Sequence, residues 1–531
     1  MKQLKTLMST LMLLALPLLL TGCEDLFGEW DKPTPVTPAP LVSKTPGSIS
    51  YETTSFLKGS LDPSFTNTLT LTGDGTVTYT SSDPSVATVD ATTGKVTPVA
   101  PGTVTITATV SDSGNYTYAT NQVSYFIVVQ DGYTYREWNV GEQKYETKIV
   151  PSSMCQLITP STSLGHGIYV VKGNVTVNNN MNTDNTASIL LCDNSTLNIN
   201  GCLYVTGTEQ HNLGIYAQSE GENMGKLNVT ASTAPSGVSG VICNSTTNGE
   251  ITIHGGKITA TATGTTIKLH GICCGRMTIY GGDIKGQGND TDNEYYGSNG
   301  IYVYPNLLTI SGGKVEGIGG KNLATSGYRA GDGICGKYDI SGDAIVIGTG
   351  GDGNSCIGGY GINDNTLPSI IRGRAVVTVK GGNSYNFSGG FGMLVQGGVE
   401  IKDNAQVIAT GGNSTGANYS GGTAINNGTI NLKDQASLTA KAGNGTGSAN
   451  GADALWANLN YYGGTFTAVG GAKGPSGANN GSAINSSKYF KNQATETVSF
   501  EYSNDGETWT SFDITAGNNA TPTQRYVRKT N

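Results

Sequence analysis

ITIHGGKITA (251–260), MTIYGGDIKG (277–286), LTISGGKVEG (308–317), VEIKDNAQVIA (399–409), INLKDQASLTA (430–440) and LNYYGGTFTA (459–468) are variants of one phrase. The third residue of each is a marker. With the equivalent positions between them, the series runs Ile253, Ile279, Ile310, Ile340, Ile371, Ile401, Leu432 and Tyr461, at intervals of 26 to 31 residues. Self-similarity at such a period is the signature of a solenoid, in which no repeat buries its apolar face alone and each stacks on its neighbours. A solenoid exposes a long lateral surface, so function is expected along a face rather than in one deep pocket.

Each repeat divides into three strand-like pieces. In Leu308-Thr309-Ile310 the two-residue alternation of a strand sets Leu308 and Ile310 on one side. A Gly-Gly corner leads to a second piece, as in Lys314-Val315-Glu316-Gly317. The third is a Gly-aliphatic piece marked by Ile215, Ile242, Ile272, Ile301, Ile334, Ile362, Leu394, Ile425, Leu455 and Ile484, 27 to 33 residues apart. Earlier coils are visible at VTVNNN (175–180), LNINGC (197–202) and LNVTAS (227–232). Three short strands per turn with glycine corners predict a parallel β-helix of about ten coils over residues 151–485. An array of sandwiches needs units about three times longer, and a propeller blade needs about 40–45 residues.

The chain has 531 residues, 77 of them Gly, with only 13% charged, and no long amphipathic helix is readable after the first residues. An all-β protein of more than one unit follows. The formal net charge of −8 argues against nucleic acid or other polyanions, which need clustered Lys and Arg. The first residues, MKQLKTLMSTLMLLALPLLLTGC, combine Lys2 and Lys5 with a short apolar run, a secretory signal rather than a spanning helix. Leu20-Thr21-Gly22-Cys23 resembles a bacterial lipobox, which implies a signal peptide over 1–22 and acylation of Cys23. Glu24 and Asp25 resemble the export signal of surface-exposed lipoproteins. Several acyl chains together anchor a protein stably without spanning the bilayer. The expected location is therefore the outer membrane, facing the exterior. Within 23–46, DKPTPVTPAPLVSKTP (31–46) reads as a semi-rigid extended spacer.

Residues 47–130 alternate apolar and polar positions between Gly and Pro turns, which suits a β-sandwich of about seven strands. The order SSDPSVATVD, GKVT, GTVTITA within 79–109 resembles the bacterial Ig-like group 2 family. That resemblance implies a stalk or adhesion module, here with no Cys pair. Residues 131–150 read as a linker or N-terminal cap of the repeats. The repeats resemble a pectate-lyase-like β-helix, which implies a right-handed coil. Residues 486–531 leave the pattern, and the strands flanking Asn504-Asp505-Gly506 read as a hairpin in a small β cap over the open end.

The excess length of each repeat falls in one place, between the second and third pieces. Insertions at one repeat position land on one face, often the binding face. These loops carry Tyr295, Tyr296, Tyr328, Tyr385 and Tyr419 among Asn, Ser and Asp, with Arg329 beside Tyr328. Rings that stack on sugar C–H faces, with amides and hydroxyls for sugar hydroxyls, suit glycans, although the same residues make ordinary solvated loops. Asp290, Asp292 and Glu294 crowd hard oxygens into five residues, a candidate calcium loop with Asp332. Gly331-Asp332-Gly333-Ile334 resembles a corner of calcium-binding β-helix glycan-binding proteins. Cys243, Cys273 and Cys335 recur in the Gly-aliphatic piece and read as small core residues. His166, in Gly-His-Gly, reads as part of the repeat frame rather than as a catalytic group.

The combined expectation is a monomeric, lipid-anchored surface protein that binds a polysaccharide or host glycan, adhesin-like and non-catalytic, with no certain cofactor beyond possible Ca²⁺. The alternatives are a calcium-dependent lyase or hydrolase using Asp290, Asp292, Arg329 or Asp332, and a purely structural spacer.

Overall fold

A computed structural model describes residues 43–246, 248–292, 296–364, 368–520 and 522–529. The expectations placed on Cys23, Glu294 and Tyr295 therefore lie outside the described residues. The described chain is all-β: an Ig-like sandwich followed by a β-solenoid of about ten turns.

The alternation read in residues 47–130 produces two main sheets, one of three strands and one of four, with three short strands beside them. Val96, Val104, Ile106, Ile127 and Val129 point inward and form their core. Gly102–Val110 and Gln122–Gln130 run antiparallel along its length. The chain enters at Thr45, whose amide donates to Asn115 O beside the 110/122 end. It leaves at Gln130, at the opposite end. Tyr133–Asn139 and Lys144–Val150 then form an antiparallel hairpin.

The solenoid confirms the first marker series residue by residue. Ile253, Ile279, Ile310, Ile340, Ile371, Ile401, Leu432 and Tyr461 are direct neighbours on successive parallel strands. The second strands stack Leu197, Leu227, Ile258, Ile284, Val315 and Val346 in the same way. These ladders share one core, in which most side chains are fully buried. Each buried aliphatic contributes about 1.5–3 kcal/mol relative to exposure. That contribution is available only while its neighbour coils are present, and so the stack stands as one body.

The Gly-aliphatic series needs two corrections. Ile215 pairs with Ile189 and Ile253, in the first ladder, as does the strand after His166. The true predecessor of Ile242 is Leu203. Further on, Met393, not Leu394, stands between Ile362 and Ile425. A one-residue slip reverses the face of a strand, so Leu394 points outward. For the same reason Cys243, Cys273 and Cys335, each next to an inward Ile, line the outer side of the wall of Gly-aliphatic strands, called the third sheet below although it is continuous with the wall of first strands, the first sheet, in one 20-stranded sheet. They are buried there in stacked positions, and Cys243 and Cys273 pack with the hydrophobic core, as the sequence reading expected.

Corners between first and second strands need a left-handed residue. Gly282 (φ 98°) serves in one coil and Asp403 (φ 60°) in a later one, where the following Ala405 is wholly buried. Asp tolerates this region better than most residues with a Cβ.

The long excursions are ordered, because their glycines pack coil on coil. The amide of Gly331 donates to Gly320 O at 2.9 Å, Gly351 to Gly331 O at 2.8 Å, Gly359 to Gly351 O at 2.8 Å and Gly382 to Gly359 O at 2.8 Å. The column continues through Gly390, Gly412, Gly422 and Gly443. A Cβ on Gly382 would stand 1.8 Å from Gly351 O. Only glycine lets outgoing and returning limbs approach this closely.

The last coil is closed by Tyr526–Lys529, antiparallel to Thr465–Val469, and by the hairpin of Val498–Ser503 with Thr510–Ile514. Phe500, Ile514 and Val527 complete the core there. At the other end, Asp62 of the sandwich accepts hydrogen bonds from Thr134 N (2.9 Å), Thr134 Oγ1 (2.6 Å) and Gln218 Nε2 (2.6 Å). It thereby ties sandwich, hairpin and solenoid together.

Candidate functional site

The outward row of the third sheet runs Cys273, Tyr302, Cys335, Asn363, Leu394. The return limbs of the excursions rise beside it and bring Tyr296, Arg329 and Tyr360 over it. Between them lies a cavity of about 450 Å³, also lined by Lys268, Asn299, Asp332 and Gln396.

Asp332 organises this cavity. Its Oδ1 accepts from Tyr360 N at 2.9 Å, and its Oδ2 from Asn363 Nδ2 at 2.7 Å and Arg329 Nη2 at 2.8 Å. Its own amide donates to Asn299 Oδ1. The Arg329 guanidinium is thus fixed 4.0 Å from the Tyr360 ring centre and 5.3 Å from that of Tyr296. Burial is the largest influence on the Arg329 pKa and works to lower it, but Asp332, Tyr360 and Cys335 together outweigh it and the net shift is upward. Burial lowers the pKa of Lys268, against the pull of Asp332. Burial also raises Tyr302 to about 12, so its hydroxyl stays a neutral donor and acceptor. Two buried polar atoms at this site, Arg329 Nε and Asn363 Oδ1, have no hydrogen-bond partner. A donor and an acceptor left open beside three tyrosines are suited to a polar ligand with apolar ring faces.

The loop candidates separate into groups. Tyr296 and Tyr328 stack with ring centres 5.7 Å apart, and both are largely exposed, at 49% and 64%. Tyr419 stacks instead on Phe387, at 4.7 Å. Tyr385 is exposed on the outgoing limb of its own excursion, beside Ser384, whose ladder partners are Gly353 and Ser414.

The expected calcium set is not assembled. Asp332 is buried with both oxygens engaged by protein donors, whereas Asp290 lines a separate cavity with Lys321 and Asp352. Asp290 Oδ1 accepts from Lys321 N, and Asp292 is exposed. Among the described residues no three His, Cys, Asp or Glu side chains come together as a metal site. The excursions wind along the solenoid, so acids close in sequence and Asp332 reach different walls.

Lys268, Tyr302, Tyr360 and Asn363 escaped the sequence reading. Tyr302 and Asn363 were findable: each follows a Gly-aliphatic marker by one residue, which places it on the outward row. Lys268 and Tyr360 come from the loop ends just before the strands that carry Cys273 and Asn363, and carry no comparable signal.

An Ig-like domain in series with a β-helix is the build of a surface or adhesin-like protein. Residues 45–120 match the family model of the bacterial Ig-like domain (group 2). No curated protein matches the chain.

Proposed function

We propose that this is a cell-surface protein, anchored through a lipid on Cys23, that binds glycans through the tyrosine-walled cavity and the stacked Tyr296–Tyr328 pair beside it, without cleaving them. The observation that carries the reading is the cavity itself, lined by Tyr296, Tyr302 and Tyr360, with unsatisfied polar atoms on Arg329 and Asn363. Support for binding over bond cleavage comes from Arg329 and Asp332. Each is the other's partner, and both Asp332 oxygens are already engaged by protein donors. Support for the stalk role comes from topology: the chain enters the sandwich at the end remote from the solenoid, so the module lengthens the reach of the spacer before it.

The test is a glycan array probed with the full chain, with and without calcium, beside the Tyr296→Ala and Tyr328→Ala variants. At least one glycan class should bind, and each variant should weaken that binding by roughly tenfold, the scale of one lost stacking contact. Failure of the folded wild type to bind any glycan would refute the reading. Cys23→Ala should move the protein from membrane to soluble fraction.

A further inference from the structure

Among the described residues, Cys243 and Cys273 are the one pair of cysteines placed directly opposite each other by strand register. Neighbouring strands lie about 4.8 Å apart, inside the range of Cα separations that disulfides span. Both side chains point to the outer side of the third sheet, because each follows an inward Ile, Ile242 and Ile272. The row continues with Tyr302 and then Cys335, so Tyr302 separates Cys335 from the pair. The Cys273 thiol is near enough to act on the Cys243 pKa. Ser239 Oγ lies 3.2 Å from Cys273 Sγ, and Gly240 leaves the space Cys273 occupies, since a Cβ there would come within 2.6 Å of Cys273 Cβ.

We infer that Cys243 and Cys273 are a dithiol site that a low-molecular-weight disulfide converts to a cross-link between two successive coils. The chemistry is exchange. The Cys243 thiolate attacks one sulfur of the small disulfide and expels one small thiol, which takes up the proton that Cys243 gave up. The Cys273 sulfur then displaces the second small thiol from the mixed disulfide, and its proton leaves with that thiol. One S–S bond is consumed and one formed, the protein loses two hydrogens, and the small disulfide is reduced. One feature supports this order. The hydrogen bond from Cys273 lowers the Cys243 pKa against the effect of burial, so Cys243 is the readier thiolate. The other six described cysteines have no register partner of their kind and remain thiols.

The full chain is incubated with oxidised glutathione, alkylated under native and then denaturing conditions, and analysed intact and after digestion. The expected result is a mass loss of about 2 Da, corresponding to one disulfide, and a single cross-linked peptide pair joining Cys243 to Cys273. Cys273→Ala should abolish the cross-link, whereas Cys335→Ala, on the same row, should leave it intact. Recovery of all eight of these cysteines as alkylated thiols from folded wild-type protein overturns the inference. So does a cross-link that joins any other pair. The wild-type measurement decides the question even if a variant fails to fold.

Discussion

The early coils, through about residue 262, and the later ones, from about residue 288, share a core but cover it differently. In the early half the outer face of the first sheet is sealed by other modules. Val170, Leu190 and Cys192 lie beneath Tyr133 and Val150 of the hairpin. Tyr135 packs edge-on to Tyr216, and Trp138 reaches just past this half to stack near Tyr280. In the later half the third sheet is sealed by its own excursions, held together by the glycine column. One repeat thus yields two surfaces. Where chain from outside the repeat is available, the coils use it as a lid. Where it is not, they must supply close-packed loops, and those loops build the cavity.

The sharpest way to break the later half is Gly382→Val. The new side chain meets the Gly351 carbonyl at 1.8 Å, and backbone cannot yield as a side chain can. Destabilisation should exceed about 4 kcal/mol, the range of a disrupted core. Gly173→Ala, in the early half, faces open space at φ 75° and should cost only about 1 kcal/mol. Chemical denaturation of both variants measures the contrast, and equal losses would mean that the column does not hold the excursions.

The early half depends on Asp62. Asp62→Ala strands the Thr134 and Gln218 donors in a buried junction and should cost about 2–4 kcal/mol. The loss should appear as proteolytic release of the sandwich while the later coils stay protected. Uniform unfolding would show instead that the junction and the stack are one cooperative unit.

Acid should also discriminate between the halves. The four histidines all precede residue 271. His254 Nδ1 accepts the Trp138 amide and His270 Nδ1 the Asn299 amide, roles that only the unprotonated nitrogen can fill. Burial lowers their pKa values to about 4 and about 3. The folded values lie below the unfolded value of about 6.5, so on acidification the unfolded chain takes up protons first. Stability is therefore level above about pH 7 and falls between about pH 6.5 and 4, by at most about 3 kcal/mol for His254. Hydrogen exchange should show the Trp138 amide opening first, with the coils beyond Asn299 unchanged over that interval, and His254→Gln should flatten the response.

The smallest effect belongs to Tyr328→Ala, whose ring is mostly exposed. Stability should change by less than about 0.5 kcal/mol while glycan binding weakens. A large change in the melting curve would reassign the tyrosine stack from ligand platform to structural brace.

The stacked markers from Ile253 to Tyr461 were legible from spacing alone, because every coil must present an apolar residue at the same point of its circuit. Spacing could not decide between Met393 and Leu394, two adjacent apolar residues, nor assign Ile215 to its ladder, since Gly-Ile-Tyr occurs in two kinds of strand. The aromatic content of the excursions was readable; which rings meet was not. Tyr328 found Tyr296 on the preceding coil, and Tyr419 found Phe387.

Period and alternation are local properties, carried by residues that need know only their own turn, and they determined the all-β solenoid, its coil length and the face its loops occupy. The glycine column, the Asp332 network and the company kept by Lys268 and Tyr360 exist only when one coil lies on the next. They depend on approach distances between backbones about thirty residues apart, and only the tertiary structure decides those distances.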